Sequence, residues 1–139
     1  MTNLPDPIRQ SPSVTVHFCS PDRRYEPLES IEVRYAVDLP PGQVARAVER
    51  SIVWYTEGKG EEDIGVHFFE RLTDRATTEG TAGSFGGRLP ESPLSYEGVI
   101  VKIRWCVRVR LFFDTGRDFV SEHVFDLGRV PAAAFPLRS

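Results

Sequence analysis

The stretch VIVKIRWCVRVRLFF, residues 99–113, leaves little choice of fold. Its odd positions (Val99, Val101, Ile103, Trp105, Val107, Val109, Leu111 and Phe113) are all apolar, while Lys102, Arg104, Arg108 and Arg110 occupy even positions with Cys106 between the two pairs. Alternation with period 2 over this length predicts one long β-strand with a buried face and a wet face. The chemical question it poses is whether the row of cations grips an anionic partner or is only the solvated side of a sheet.

The rest of the chain repeats the pattern in shorter pieces. From Val14, Val16 and Phe18 share a face opposite Thr15, His17 and Cys19. From Ile31, residues Val33, Tyr35 and Val37 turn inward while Glu32, Arg34 and Asp38 turn outward, until LPPG ends the strand. VARAVERSIVWYTE (44–57) is ambiguous at its start, but IVWYT is strongly strand-forming, so a long strand to Glu57 is predicted. EGKGEED is a turn, and IGVHFFERL a further strand with Ile64, Val66 and Phe68 alternating against His67 and Arg71. TDRATTEGTAGS reads as a polar loop and SFGGRLPESPLSYEG as a bent segment. After DTGRD, FVSEHVFDL is the last clear strand, in a register expected to set Phe119 opposite Phe113 and Arg110 opposite Glu122. Some seven or eight strands, with no convincing long helix and no repeat, predict an all-β, antiparallel immunoglobulin-like β-sandwich. Its expected limits are 13–128, with a proline-bearing N-terminal tail at 1–12 and an apolar C-terminal tail at 129–139.

At 139 residues the chain suits one domain with a real core. A net charge of −3 weakens any nucleic-acid reading, since such proteins are usually basic overall. The N-terminus lacks the apolar region of a leader, and no apolar run reaches membrane-spanning length, so a cytoplasmic protein without a membrane span is expected. The two cysteines, Cys19 and Cys106, form no C-x-x-C pair and are expected to be free thiols.

Several segments resemble the arrestin N-lobe. WYTEGKGEEDIGVHFFERL is similar to the family's aromatic-rich strand, acidic turn and following strand; RYEPLESIEV resembles its "Y-x-P-G-E-x-I-x-V" turn and strand. SFGGRLPESPLSYEGVIVKIRWCVRVRL matches best, with a Phe, a Leu-Pro, a Ser-Tyr-x-Gly and a long alternating strand. The resemblance runs from about Val14 to Leu127 and is strongest between Ser84 and Leu111. It implies the arrestin-like sandwich that works by binding proteins, as in arrestins, arrestin-type retromer subunits and bacterial sporulation-control relatives. Three departures matter. The length suits one lobe rather than two, Leu28 stands where the family's turn has glycine, and no clathrin- or adaptor-binding tail is recognisable. Receptor desensitisation is therefore not carried over.

Other chemistry is thinly supported. Zinc needs three or four converging ligands, and only His17 and Cys19 form a close pair, with His67, His123 and Cys106 more remote. Cys106 lies between cations that would lower its thiol pKa, yet no nucleophile signature frames it, so a structural cysteine is expected. The acidic turn Glu57, Glu61, Glu62, Asp63 lacks calcium-loop spacing and contains Lys59. Gly83, Gly86 and Gly87 do not lead from a strand into a helix as a phosphate-cradling loop does.

No catalytic residue, metal or cofactor is therefore expected. The function expected is a non-enzymatic interaction or scaffold module that binds a protein partner through a strand edge or a sheet face, with a homodimer through an edge strand as one form. Lys102, Arg104, Arg108 and Arg110 are first a solvated face and second the candidate site for an acidic or phosphorylated segment; nucleic acid comes last for want of interleaved aromatics. The alternative is a small-ligand-binding or hydrolytic sandwich with a pocket between the sheets, under Trp54, Tyr55 and Trp105.

Overall fold

The computed structural model describes residues 11–60, 62–74 and 82–129. The expected tails at 1–12 and 129–139, apart from residues 11, 12 and 129, lie outside the described residues, as do residues 75–81 of the polar loop. Among the described residues the strands are β1 (Ser13–Phe18), β2 (Arg24–Tyr25), β3 (Ser30–Asp38), β4 (Ala45–Gly58), β5 (Ile64–Leu72), β6 (Ala82–Arg88), β7 (Tyr96–Glu97), β8 (Val101–Phe113) and β9 (Asp118–Leu127). They form a three-stranded sheet, β1-β3-β6, and a six-stranded sheet, β2-β9-β8-β4-β5, with β7 beside β8. All pairings are antiparallel except β2 with β9, so the larger sheet is mixed. The fold is an all-β, arrestin-like sandwich of about nine strands.

The alternation in β8 produces the core directly. Trp105, Val107, Val109, Leu111 and Phe113 point inward and meet Val16, Phe18, Ile31, Val33, Tyr35 and Phe85 of the smaller sheet. Trp105 is fully buried, and its indole N–H donates to the Pro93 carbonyl at 2.7 Å, which removes the cost of burying that polar atom. Phe125 touches Trp105 and Tyr25 at centroid distances of 6.0 and 5.7 Å, joining β8, β9 and β2 in one aromatic cluster.

Three expectations change in detail. The β8–β9 register is displaced by two residues: Leu111 faces Phe119 and Arg108 faces Glu122, because the reversal turns within residues 114–117 and Asp118 already pairs with Phe112. A shift of two preserves which face each side chain takes, so the inward and outward sets survive. In β5 the expected alternation breaks. The β4–β5 register slips at Ile52/Val53, so Phe68 lies opposite Ile52 on the inner face while Val66 and Phe69 face outward. β2 and β7, two residues each, and the seven-residue β6 occupy stretches read as turn, bent segment and loop; two residues carry no periodicity, and AGSFGGR holds three glycines and one large apolar side chain, so no alternation announces β6.

Leu28 has φ +69°, so the position where the resemblance has glycine does require the left-handed region, here met by a non-glycine residue. That conformation costs an L-residue about 1–2 kcal/mol. Leu28→Gly is expected to stabilise the fold by roughly 0.5 kcal/mol after glycine's larger unfolded-state entropy is subtracted, read as a higher urea midpoint. Leu111→Ala, in contrast, is expected to cost about 2–5 kcal/mol in the same titration. Its exposed neighbour Arg110→Ala is expected to cost under about 1 kcal/mol.

Candidate functional site

The outward face of the larger sheet is built from cross-strand rows fixed by register. Val120, Arg110, Glu49 and Arg71 form one row, then Glu122, Arg108, Ser51 and Phe69, then Val124, Cys106, Val53 and Val66. Arg104, Tyr55 and Ile64 follow, with Lys102 between Glu57 and Glu97 beyond them. The four cations of the sequence motif thus share one face, and each meets a carboxylate. Lys102 Nζ is 2.9 Å from Glu97, Arg104 Nε 2.7 Å from Glu57, and Arg110 Nη2 2.6 Å from Asp118, while Arg108 pairs with Glu122. These pairs are partly exposed, so each is worth at most about 1 kcal/mol and can exchange partners readily. Arg71 and Arg110 also cover the Phe112 ring at 4.7 and 4.9 Å.

Between the ion pairs the face is apolar. Val53 and Cys106 are 2% and 0% exposed although they point away from the core, because longer neighbours overhang them. Ser51 is the small residue of its row, and above Ser51 and Val53 a furrow of about 350 Å³ opens between Phe69 and Val66 on one side and Arg108, Arg110, Val120 and Glu122 on the other. Ile64, Val66, Phe69, Val120 and Val124 are exposed large apolar side chains, and all five lie on this face. Sequence reasoning found the cations but missed the furrow, since its far wall depends on the β5 register slip that turns Phe69 outward.

A second polar feature was also invisible in the sequence. Arg50 faces inward, opposite Val109, and its guanidinium bridges both sheets. It donates to the Ser84 carbonyl at 2.9 Å and to the Tyr35 hydroxyl at 3.4 Å, pairs with Glu70 of β5, and lies 5.2 Å from the Phe85 ring centroid. His67 Nε2 meets the Arg88 carbonyl at 2.7 Å, and Phe68 stacks on Phe85, so the seam between edge strands β5 and β6 is closed by several contacts at once.

The remaining candidates are scattered. His17 and exposed Cys19 lie on the smaller sheet, and among the described residues no three His, Cys, Asp or Glu side chains converge on a metal position. Glu61 of the acidic turn lies outside the described residues, and Glu57 is taken by Arg104. Trp54 and Trp105 face inward and Tyr55 outward, so the three aromatics do not enclose one pocket. A cavity of about 580 Å³ lies instead where the turns after β3 and β8 meet, lined by Gly42, Gln43, Thr115, Arg117 and Phe119 among others.

Cys106 is corrected in its chemistry. Burial pushes its thiol up to about 11, outweighing the opposing effect of Arg108, so the cationic neighbours do not activate it. Ser121 Oγ lies 2.5 Å from His123 Nε2, and among the described residues no carboxylate orients that imidazole, so the pair lacks the third member of a nucleophile–base–orienter set. Burial and then Arg23 hold His123 below the ordinary histidine range.

No protein-family model matches the sequence, and no curated protein matches it. The chain superposes on the crystal structure of Spo0M, a sporulation control protein from Bacillus subtilis, with a TM-score of 0.61 and 13% identity. The match covers 85% of this chain and 49% of that one, so the chain spans about half the length of that structure. At this identity the likeness shows the arrestin-like fold alone. No helix in the described residues is long and apolar enough to cross a membrane.

A thiol reagent added to the native protein is expected to modify Cys19 rapidly and Cys106 only after denaturant, and Cys19→Ser to abolish the fast phase. A depressed histidine is neutral in the folded state, so its contribution is intact above the unfolded value of about 6.5 and is lost as pH falls through the folded value. The denaturation midpoint should therefore fall between about pH 7 and pH 5.5, and less steeply in His123→Gln.

Proposed function

We propose that this chain is a non-enzymatic, arrestin-like interaction module of the cytoplasm that docks a polypeptide on the outward face of its larger sheet. The observation that carries this reading is the furrow over Ser51 and Val53, walled by exposed Phe69 and Val66 on one side and by ion-paired arginines on the other. An apolar anchor with a polar rim is how protein interfaces concentrate their energy.

Arg108 and Arg110 line the furrow, and Lys102 and Arg104 continue the cationic strip on the same face beyond it. Their carboxylates are themselves exposed or half-buried, so an acidic or phosphorylated partner segment would replace Glu57, Glu122 or Asp118 at little electrostatic cost. Docking on the face is favoured over strand addition at the β5 edge, because the register slip and the charges of Glu70 and Arg71 discourage an added strand there. The sporulation-control role named for the Bacillus subtilis protein of similar fold supports a regulatory setting over a metabolic one.

Affinity purification from the native cell with wild-type and variant baits tests the reading. Phe69→Glu is expected to reduce recovery of the co-purifying partner at least ~10-fold, as loss of an interface anchor does, while Glu91→Ala on an exposed loop leaves it unchanged. Equal recovery with Phe69→Glu would reject the face. Arg104→Glu with Arg108→Glu is expected to weaken capture several-fold, and an unchanged yield would remove the basic rim from the site.

A further inference from the structure

We infer that a partner suited to this face is a second copy of the same chain, the two larger sheets stacking outward face on outward face about a twofold axis that runs along the strands between β4 and β8. This rests on the docking face proposed above and names its occupant. The inference comes from how charge is divided between the two central strands. Outward from β8 point Lys102, Arg104, Cys106, Arg108 and Arg110; outward from β4 point Glu49, Ser51, Val53, Tyr55 and Glu57. One strand is cationic with a small apolar centre, and the other is acidic at both ends with a small apolar centre.

A twofold between them lays β4 of one copy over β8 of the other while keeping each row on its own row. Glu49, already 2.6 Å from Arg71 in its own chain, then also meets the second copy's Arg110, and Glu57, already paired with Arg104, its Lys102. Ser51 lies on its Arg108, Tyr55 on its Arg104 and Val53 on its Cys106, so existing ion pairs are extended across the interface and the symmetry repeats each meeting. The flanking strands follow, with β5 over β9, so that Val66 lies on the second copy's Val124 and extends the apolar row. An axis across the strands would instead stack β8 on β8 and set arginine against arginine, which is repulsive and self-excluding. Aligned packing of twisted sheets is the ordinary way two such faces meet.

The scale is adequate. Four strands about 4.8 Å apart, over some eight residues at about 3.3 Å each, give a flat footprint of roughly 500 Å². Side-chain relief takes the accessible area toward the ~800 Å² per partner of a standard interface. A modest, reversible dimer follows, present near ~100 µM and dissociating on dilution.

Sedimentation velocity across a concentration series tests this, with circular dichroism confirming that each variant remains folded. The wild type is expected to shift from monomer to dimer. Glu49→Arg alone, Arg110→Glu alone, and Val66→Glu at a 61% exposed position should each weaken the dimer at least ~10-fold. Mixing the Glu49→Arg and Arg110→Glu single variants should give a heterodimer within ~3-fold of wild-type affinity, because both meetings are then restored between copies while each chain keeps its own mismatched pair at these neighbouring positions, which a general loss of stability cannot do. A wild type that stays monomeric to ~1 mM, or a dimer indifferent to the single reversals, overturns the second-copy inference. A monomer whose heterologous partner is nevertheless lost in Phe69→Glu leaves the docking face standing with a different occupant.

Discussion

The ladder between β4 and β8 is the constraint on which the rest of the structure depends. It pairs Ala45 through Gly58 with Phe113 through Val101, the most extensive strand pairing in the described fold. Each strand of this pair has one inward and one outward row, and the ladder locks those rows together. Once Val107 sits beside Ile52, Arg108 must sit beside Ser51 and Arg110 beside Glu49. A slip of one residue would drive arginines into the core and valines into water, so burial of Trp105, Val107, Val109 and Leu111 fixes the outward chemistry as firmly as the inward packing.

The same pairing explains why the face is both basic in sequence and balanced in space. The arginines of β8 lie on a strand whose neighbours on both sides bring acids: Glu49 and Glu57 from β4, Glu122 and Asp118 from β9, and Glu97 from β7. A row of cations read along one strand is therefore a set of ion pairs across several. Such a face repels neither protein nor solvent strongly, and its selectivity comes from shape and from the placement of opposite charges.

Arg50 is the place where local rules and the fold part company. Its strand position demands an inward side chain between Val48 and Ile52, and the chain meets that demand with a cation paired to Glu70, donating to Tyr35 and Ser84 and lying near the Phe85 ring. The Arg50 side chain is largely buried while that of Glu70 is 39% exposed, so removing Glu70 would leave the guanidinium with its two hydrogen bonds but no carboxylate, and the pair ties β5 to the seam with β6. Because β5 carries Phe69 and Val66, the clasp on the inner side holds one wall of the furrow on the outer side.

What was legible in the sequence follows from periodicity. The two-residue beat of 99–113, the inward set of 31–37 and the strand character of 52–56 gave an all-β sandwich, the inner row of β8 and the four cations on one outer strip. Leu28 stood in the sequence only as a departure from the family's turn glycine, and that its backbone nonetheless takes positive φ came from the structure. The two-residue change of register at Arg108–Glu122, the slip in β5 that turns Phe69 outward, and the inward Arg50 were not legible. Alternation assigns a residue to a face but not to a partner, and it carries no information across strands. Pairing, and with it the furrow, the ion pairs and the complementarity of β4 to β8, is decided by how long-range burial aligns one strand against the next, a balance that exists only once the whole sheet has formed.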